Sequence, residues 1–297
     1  MHSLLKYLFI TVLLLTLASA QQAPAAPHAA SKTAANLPSE ETVNAFLHQW
    51  FGYDPSLTWK IISIKPSEIE GLSEINAVMS GAQGQQQLKL YVTPDGKHAV
   101  NGEIMPFGAH PFAANQKELE RGINGPSRGP ADAPVTVVDF SDLQCPHCKD
   151  AHPILEKLVT ENKNVRLVFQ NFPLPMHDWA AKAAAYADCA SRSSNDAFWK
   201  FISSVFAAQS DITAANADEK LTALADSAGA KGADVAACAA KPETTSRVEK
   251  SVALGKALNV NSTPTIFING RQVPAVPYEV LVKLVDFAAK ENTQAKK

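Results

Sequence analysis

The strongest constraint on this chain is a seven-residue, largely apolar run, Val135-Thr136-Val137-Val138-Asp139-Phe140-Ser141, separated by three residues from Cys145-Pro146-His147-Cys148. Such a run suits a central strand buried on both faces. A helix is expected from about residue 146 to 162, with Ile154, Leu155, Leu158 and Val159 on one side, and a second strand over residues 165–170. Strand, helix and parallel strand make a right-handed βαβ unit. The cysteine pair then sits where the first strand hands over to the helix.

That position makes a thiol reactive. Backbone N–H groups at a helix start are unpaired and the helix dipole is positive there, so a thiolate on Cys145 is stabilised. Pro146 suits the first helical position, where a missing N–H costs nothing. His147 offers a charge or a hydrogen bond near the sulfur, which lowers the thiol pKa further and favours the reduced pair, the mark of an oxidising couple. Asp139, six residues before Cys145, has two readings: a buried carboxyl of raised pKa that exchanges a proton with Cys148, or an acid facing solvent from a strand end. Its neighbours Val137, Val138 and Phe140 favour burial.

Other uses of a CxxC pair fit less well. Covalent haem needs histidine directly after the second cysteine, and Lys149 stands there. Structural zinc needs a second ligand pair, whereas Cys189 and Cys238 stand apart; His152, one turn beyond Cys148, reads as a surface residue. A purely structural bridge over so short a loop gains little entropy. Neither a metal nor another cofactor is expected.

The chain of 297 residues is long enough for two domains. Lysine plus arginine (27) nearly balance aspartate plus glutamate (29), and no basic stripe interleaved with aromatics occurs, so no nucleic-acid partner is expected. The amino terminus carries Lys6, an apolar run over residues 7–17, and Ala18-Ser19-Ala20, the layout of a secretory signal peptide cleaved after residue 20. The run is well short of the roughly 20 residues of a membrane span. Export, to a periplasm or outside the cell, favours disulfides, and four cysteines allow three full pairings.

Residues 21–37 read as a flexible leader. A helix with Val43, Phe46, Leu47 and Trp50 at helical spacing opens a first domain over residues 38–105, continued by short apolar stretches at 59–64, 75–79 and 88–92 and a piece near Ala99, with turn residues between them. Residues 106–133 read as a linker with a short helix near 115–122, and residues 134–292 as the second domain, with a five-residue tail over 293–297. Within it, 176–258 is alanine-rich and helical, followed by a strand at 265–268, an Asn269-Gly270 hairpin turn and a closing helix.

The stretch from Val137 through Cys148, with Ser262-Thr263-Pro264-Thr265-Ile266-Phe267-Ile268-Asn269-Gly270, resembles the DsbA-like branch of the thioredoxin superfamily over roughly residues 125–292. The resemblance implies a thioredoxin-like α/β fold with an inserted helical subdomain. It also implies that Cys145 is an exposed nucleophile, Cys148 a buried resolving thiol, Asp139 a buried acid beneath them, Pro264 a cis-proline and Thr263 part of a substrate-pairing backbone. Cys189 and Cys238 become a structural disulfide between helices, the alternative being two free buried thiols. Gly71-Leu72-Ser73-Glu74-Ile75-Asn76, Leu90-Tyr91-Val92-Thr93-Pro94-Asp95-Gly96-Lys97-His98 and Asn101-Gly102-Glu103-Ile104 resemble the small α+β (cystatin-like) dimerisation domain of the isomerases DsbC and DsbG. Those isomerases carry a different dipeptide between their cysteines. The implied activity is thiol-disulfide exchange on exported proteins with free or mispaired cysteines, most simply as a dithiol oxidase and alternatively as an isomerase, a reductase, a chaperone or a metal-binding protein. The implied partners are a second copy and a DsbB-like or DsbD-like membrane redox protein.

Overall fold

The computed structural model describes residues 37–295 apart from Tyr53, Ala82, Gln83, Glu103, residues 105–107, Ala109 and Ala275. The expected signal peptide and nearly all of the expected leader lie outside the described residues. The chain divides into two compact units, one up to residue 104 and one from 105 onward.

The first unit is a helix on an antiparallel sheet. Helix α1 (Glu40–Phe51) starts where Ser39 caps it, its side chain accepting from the Thr42 N–H at 3.1 Å, with Glu40 and Glu41 suiting the positive end of the dipole. Strands β1 (Thr58–Pro66), β2 (Ser73–Gly81), β3 (Gly84–Val92) and β4 (Ala99–Asn101) follow in spatial order. Val43 and Leu47 of α1 pack on Ile75, Ala77 and Leu90, with Phe51 at the margin. The apolar spacing suggested a wider buried stripe, but Phe46 and Trp50 stay about 40% exposed and stack edge-on at 5.5 Å. A four-stranded sheet covers one line of positions along the helix, and these two lie on its flank. Ile62 is exposed for a similar reason, since the β1–β2 register shifts between Ile61 and Ser63 and leaves it unpaired.

The second unit begins with α2 (Ala113–Gly122) and β5 (Ser127–Arg128). These lie where a linker is expected from the sequence. Leu119 packs with Phe140, Val168 and Leu254, and β5 adds an antiparallel edge strand to the sheet, so this segment is part of the unit's architecture. Two residues carry no alternation to read, and only a neighbouring strand makes them a strand.

The order continues with β6 (Val135–Ser141), α3 (Pro146–Glu161), β7 (Val165–Asn171), α4 (Ala180–Ser193), α5 (Asn195–Ala207), a 3-10 turn (Gln209–Asp211), α6 (Ala217–Ser227), α7 (Gly232–Ala239), α8 (Pro242–Ala257), β8 (Thr265–Ile268), β9 (Arg271–Val273) and α9 (Tyr278–Ala295). The sheet order is β5-β7-β6-β8-β9, with β6 parallel to β7 and antiparallel to β8. Asn269 and Gly270 both adopt positive φ, at 45° and 83°, the conformation of a tight hairpin turn. Gly270 is also required for space, since a Cβ there would lie 2.6 Å from the Phe112 carbonyl oxygen.

Strand β6 is covered on both faces and its alternation sorts the core. Val138 and Phe140 enter a cluster with Phe172, Leu254 and Phe267, whereas Val135 and Val137 face the larger cluster that holds Leu155, Phe198, Trp199, Cys145 and Cys148. Asp139 and Ser141 follow the second parity.

Candidate active site

Cys145 is the N-cap of α3 and Pro146 occupies its first turn. The Cys145 carbonyl accepts from the N–H groups of Cys148 and Lys149 at 3.1 and 3.2 Å, closing the first helical turn. Because β8 runs antiparallel to β6, its start lies beside the end of β6, and Phe140 pairs with Thr265. This register carries the Thr263-Pro264 segment onto the cysteines. The peptide bond between them is cis, and the Cys145 thiol donates to the Thr263 carbonyl at 3.4 Å.

Both active-site cysteines are free thiols, with Cys145 4% and Cys148 1% exposed. The exposure implied for Cys145 is therefore not found, because the cis-proline loop lies over its sulfur. The two thiols differ in acidity. Cys145 is drawn down to about 5, chiefly by the hydrogen bond from the Cys148 thiol, then by Thr263 and by the backbone N–H groups of Cys148 and His147, against a cost of burial. Cys148 is pushed well up, first by burial, then by its bond to Cys145 and by the charge of Asp139. The Thr263 hydroxyl has no partner in this dithiol form, which leaves it free to donate to a Cys145 thiolate. His147 and Pro146 are exposed, and what position 147 supplies to the sulfur is its backbone N–H.

Asp139 is 4% exposed and lies on the cysteine side of β6. Burial pushes its carboxyl up to about 7, and one of its oxygens has no hydrogen-bond partner. The solvent-facing alternative does not occur.

Further residues, to which the sequence assigned no role, complete the site. The Asp142 carboxylate, in a residue 1% exposed, accepts from the N–H groups of Gln144 and Leu174 at 2.8 and 2.7 Å and pairs with His177 Nδ1 at 2.8 Å. Its own backbone N–H donates to Cys148 Sγ at 3.4 Å. The Gln209 amide donates to the carbonyls of Leu143 and Cys145 at 2.9 and 3.1 Å, tying the helical insertion to the redox loop. Asp142 had a signal, a charge next to a buried strand. His177 and Gln209 are brought in from distant sequence and had none.

Cys189 and Cys238 do not join this site. They form a disulfide between α4 and α7 with Cα atoms 5.9 Å apart, and the Thr244 hydroxyl lies 3.5 Å from the Cys189 sulfur and donates to the Cys238 carbonyl at 2.8 Å. Among the described residues no group of three or more His, Cys, Asp or Glu side chains is arranged to hold a metal ion.

His152 is not a surface residue. It is 9% exposed, its Nε2 lies 2.8 Å from the Ser203 hydroxyl, and its ring lies 5.1 Å from that of Phe206. The α5 helix packs over this turn of α3, which a helix-only reading does not show. Burial, with the Arg128 charge second, pushes the imidazole down to about 4. The folded state then binds fewer protons than the unfolded state between about pH 6.5 and 4, so stability is lost as the pH drops through that window. The loss approaches about 3 kcal/mol below pH 4. Chemical denaturation of His152→Gln across pH 4 to 7 is expected to show a shallower acid decline than the parent protein. Parallel declines would rule this account out.

Comparison with known proteins agrees with this geometry. Residues 122–287, more than half of the chain, match the family described as Thioredoxin, and residues 23–107 match the Disulfide bond isomerase protein N-terminal domain. The chain is 32% identical over 165 residues to Disulfide bond formation protein D of Bacillus subtilis, covering 50% of this chain and 69% of that protein. It is also 31% identical over 157 residues to the Na(+)/H(+) antiporter NhaA 3 of Salinispora tropica, covering 49% of this chain and 22% of that protein, so it spans about a fifth of the antiporter's length. Among the described residues no helix is long and apolar enough to cross a membrane. The crystal structure of oxidised BdbD from Bacillus subtilis superposes with a TM-score of 0.51 at 28% identity, over 56% of this chain and 93% of that one. With its CxxC pair at the start of α3 and the cis Thr263-Pro264 bond against it, the chain belongs to the thioredoxin family, and ahead of that domain it carries a match to the disulfide bond isomerase N-terminal domain.

Proposed function

We propose that this protein is an exported, periplasmic thiol-disulfide oxidoreductase that exchanges the Cys145–Cys148 disulfide with cysteines of exported proteins, running chiefly as a dithiol oxidase. The observation that carries this reading is the split acidity of the pair, with Cys145 drawn down to about 5 and Cys148 pushed up. In the oxidising direction a substrate thiolate attacks Cys145 Sγ, the S–S bond breaks, and its electron pair leaves on Cys148, which takes a proton. A second substrate thiolate then attacks the substrate sulfur of the mixed disulfide and Cys145 departs as a thiolate. The substrate has lost two electrons and the protein is a dithiol, re-oxidised by a DsbB-like membrane partner. A low-pKa thiol leaves faster, and a stabilised thiolate favours the reduced protein.

The second reading is a dimeric isomerase, kept reduced by a DsbD-like donor. The disulfide-isomerase domain over residues 23–107 supports it, as does β4, an edge strand with all three residues exposed and paired on one side to β3. A second copy adding its strand there fits ordinary β-augmentation. The reduction potential of the Cys145/Cys148 pair separates the two, read by glutathione titration together with the redox state in the exported compartment. A value near about −120 mV with a mostly disulfide population is expected, and one near about −270 mV with a mostly dithiol population would remove the oxidase reading.

A further inference from the structure

We propose that the Ser141 hydroxyl carries the proton between Cys148 and Asp139 during thiol exchange. This rests on the exchange reading above and adds to it a residue adjoining the peptide N–H that holds the reacting thiol. Asp139 and Ser141 are two apart on β6 and project to the same side, the side on which Cys148 packs. All three are sealed from solvent, with Asp139 4%, Ser141 2% and Cys148 1% exposed. The peptide joining Ser141 to Asp142 donates its N–H to Cys148 Sγ at 3.4 Å, which fixes that sulfur beside residue 141. The Ser141 carbonyl is occupied by the Phe172 N–H at 2.8 Å, so the strand cannot rotate away. The Ser141 hydroxyl acts on both neighbours in the same sense, favouring the ionised form of the Asp139 carboxyl and of the Cys148 thiol against their burial. One Asp139 oxygen is buried with no partner, an acceptor held open in a site that bulk water does not reach.

A hydroxyl both donates and accepts, so it can pass a proton in either direction. As Cys148 attacks the Cys145 sulfur of a mixed disulfide, its thiol proton moves to Ser141 Oγ while the Ser141 proton moves to Asp139. The Cys145–Cys148 bond forms and the substrate leaves as a thiolate with the electron pair. In the oxidising direction the same path runs backwards and protonates the departing Cys148. Asp139, held near about 7 by burial, can act as acid or base at neutral pH. The titratable groups that face it are Cys145 and Cys148.

The test uses the full chain in its dithiol form mixed rapidly with 5,5′-dithiobis(2-nitrobenzoate). The Cys145 thiolate attacks the aryl disulfide and releases one arylthiolate, and Cys148 then attacks the mixed disulfide and releases the second. In Ser141→Ala the ratio of second-phase to first-phase rate is expected to fall about tenfold, with the inflection near neutral pH lost from the second phase. Ser141→Thr and Ser141→Val, equal in shape and differing in the hydroxyl, form a second pair in case alanine unfolds the site. Threonine is expected to hold the ratio and valine to lose it. Two phases with the ratio and pH profile unchanged in alanine and valine overturn the relay alone. A wild-type protein that releases no second arylthiolate overturns the exchange reading and the relay with it.

Discussion

Iodoacetamide added to the reduced, folded protein at pH 7 is expected to alkylate Cys145 at least about 100-fold faster than Cys148. The rate at Cys145 should fall off on acidification with a midpoint near 5. An ordinary cysteine is a thiolate to only a few per cent at neutral pH, whereas a thiol held near 5 is almost wholly ionised. Cys148 lacks that advantage twice over, being sealed by burial and paired as a donor to Cys145. Peptide mapping by mass spectrometry across pH 3 to 9 reads both sites at once. Thr263→Val serves as an internal control, since it removes a hydroxyl that favours the thiolate and should raise the midpoint. Equal labelling of the two cysteines, or a Cys145 midpoint between 8 and 9, would contradict the split acidity on which the oxidase reading rests.

Replacing Asp139 by leucine should make the protein more stable while slowing its exchange. The folded state holds this carboxyl near about 7, against about 3.9 in the unfolded chain. A raised carboxyl pKa means that the folded state binds more protons between those values. Its penalty is therefore absent below about pH 4, grows as pH rises to 7, and levels at about 4 kcal/mol above that. At 2–4 °C per kcal/mol for a domain of this size, Asp139→Leu should raise Tm by roughly 10 °C at pH 8 and leave it nearly unchanged at pH 4. Calorimetry at the two pH values checks this. A Tm that drops at pH 8, or a gain that is the same at both, would mean that Asp139 is not held as a buried, destabilised carboxylate. That a destabilising group stands at the centre of the fold is consistent with a role in proton transfer.

The redox domain was more legible than its surroundings because its signals are local. A continuous apolar strand, a proline just inside a helix start and a cysteine pair spanning it are contiguous, and the turn at Asn269-Gly270 is written in two residues. The helical insertion was equally readable from its breaks near Ser194 and Pro242. Strand β5 was not, since its existence depends on hydrogen bonds to β7 and its two residues show no periodicity. His152 illustrates the same limit. Its spacing fits either face of a helix, and α5 packing across α3 decided that it would be buried and neutral.

By itself the sequence determined the cysteine pair and its helix start, the identity of the acid six residues upstream, and the strand-helix-strand order that makes a thioredoxin-type sheet possible. Those depend on residue type and short spacing, which the covalent chain sets. Tertiary structure alone decided the chemistry of the pair. The antiparallel register of β8 on β6 laid Thr263 over Cys145, strand alternation turned Asp139 and Ser141 toward Cys148, and folding carried His177 and Gln209 onto the redox loop. Acidity follows from desolvation and from hydrogen bonds between distant residues, and neither exists until the chain has closed around the site.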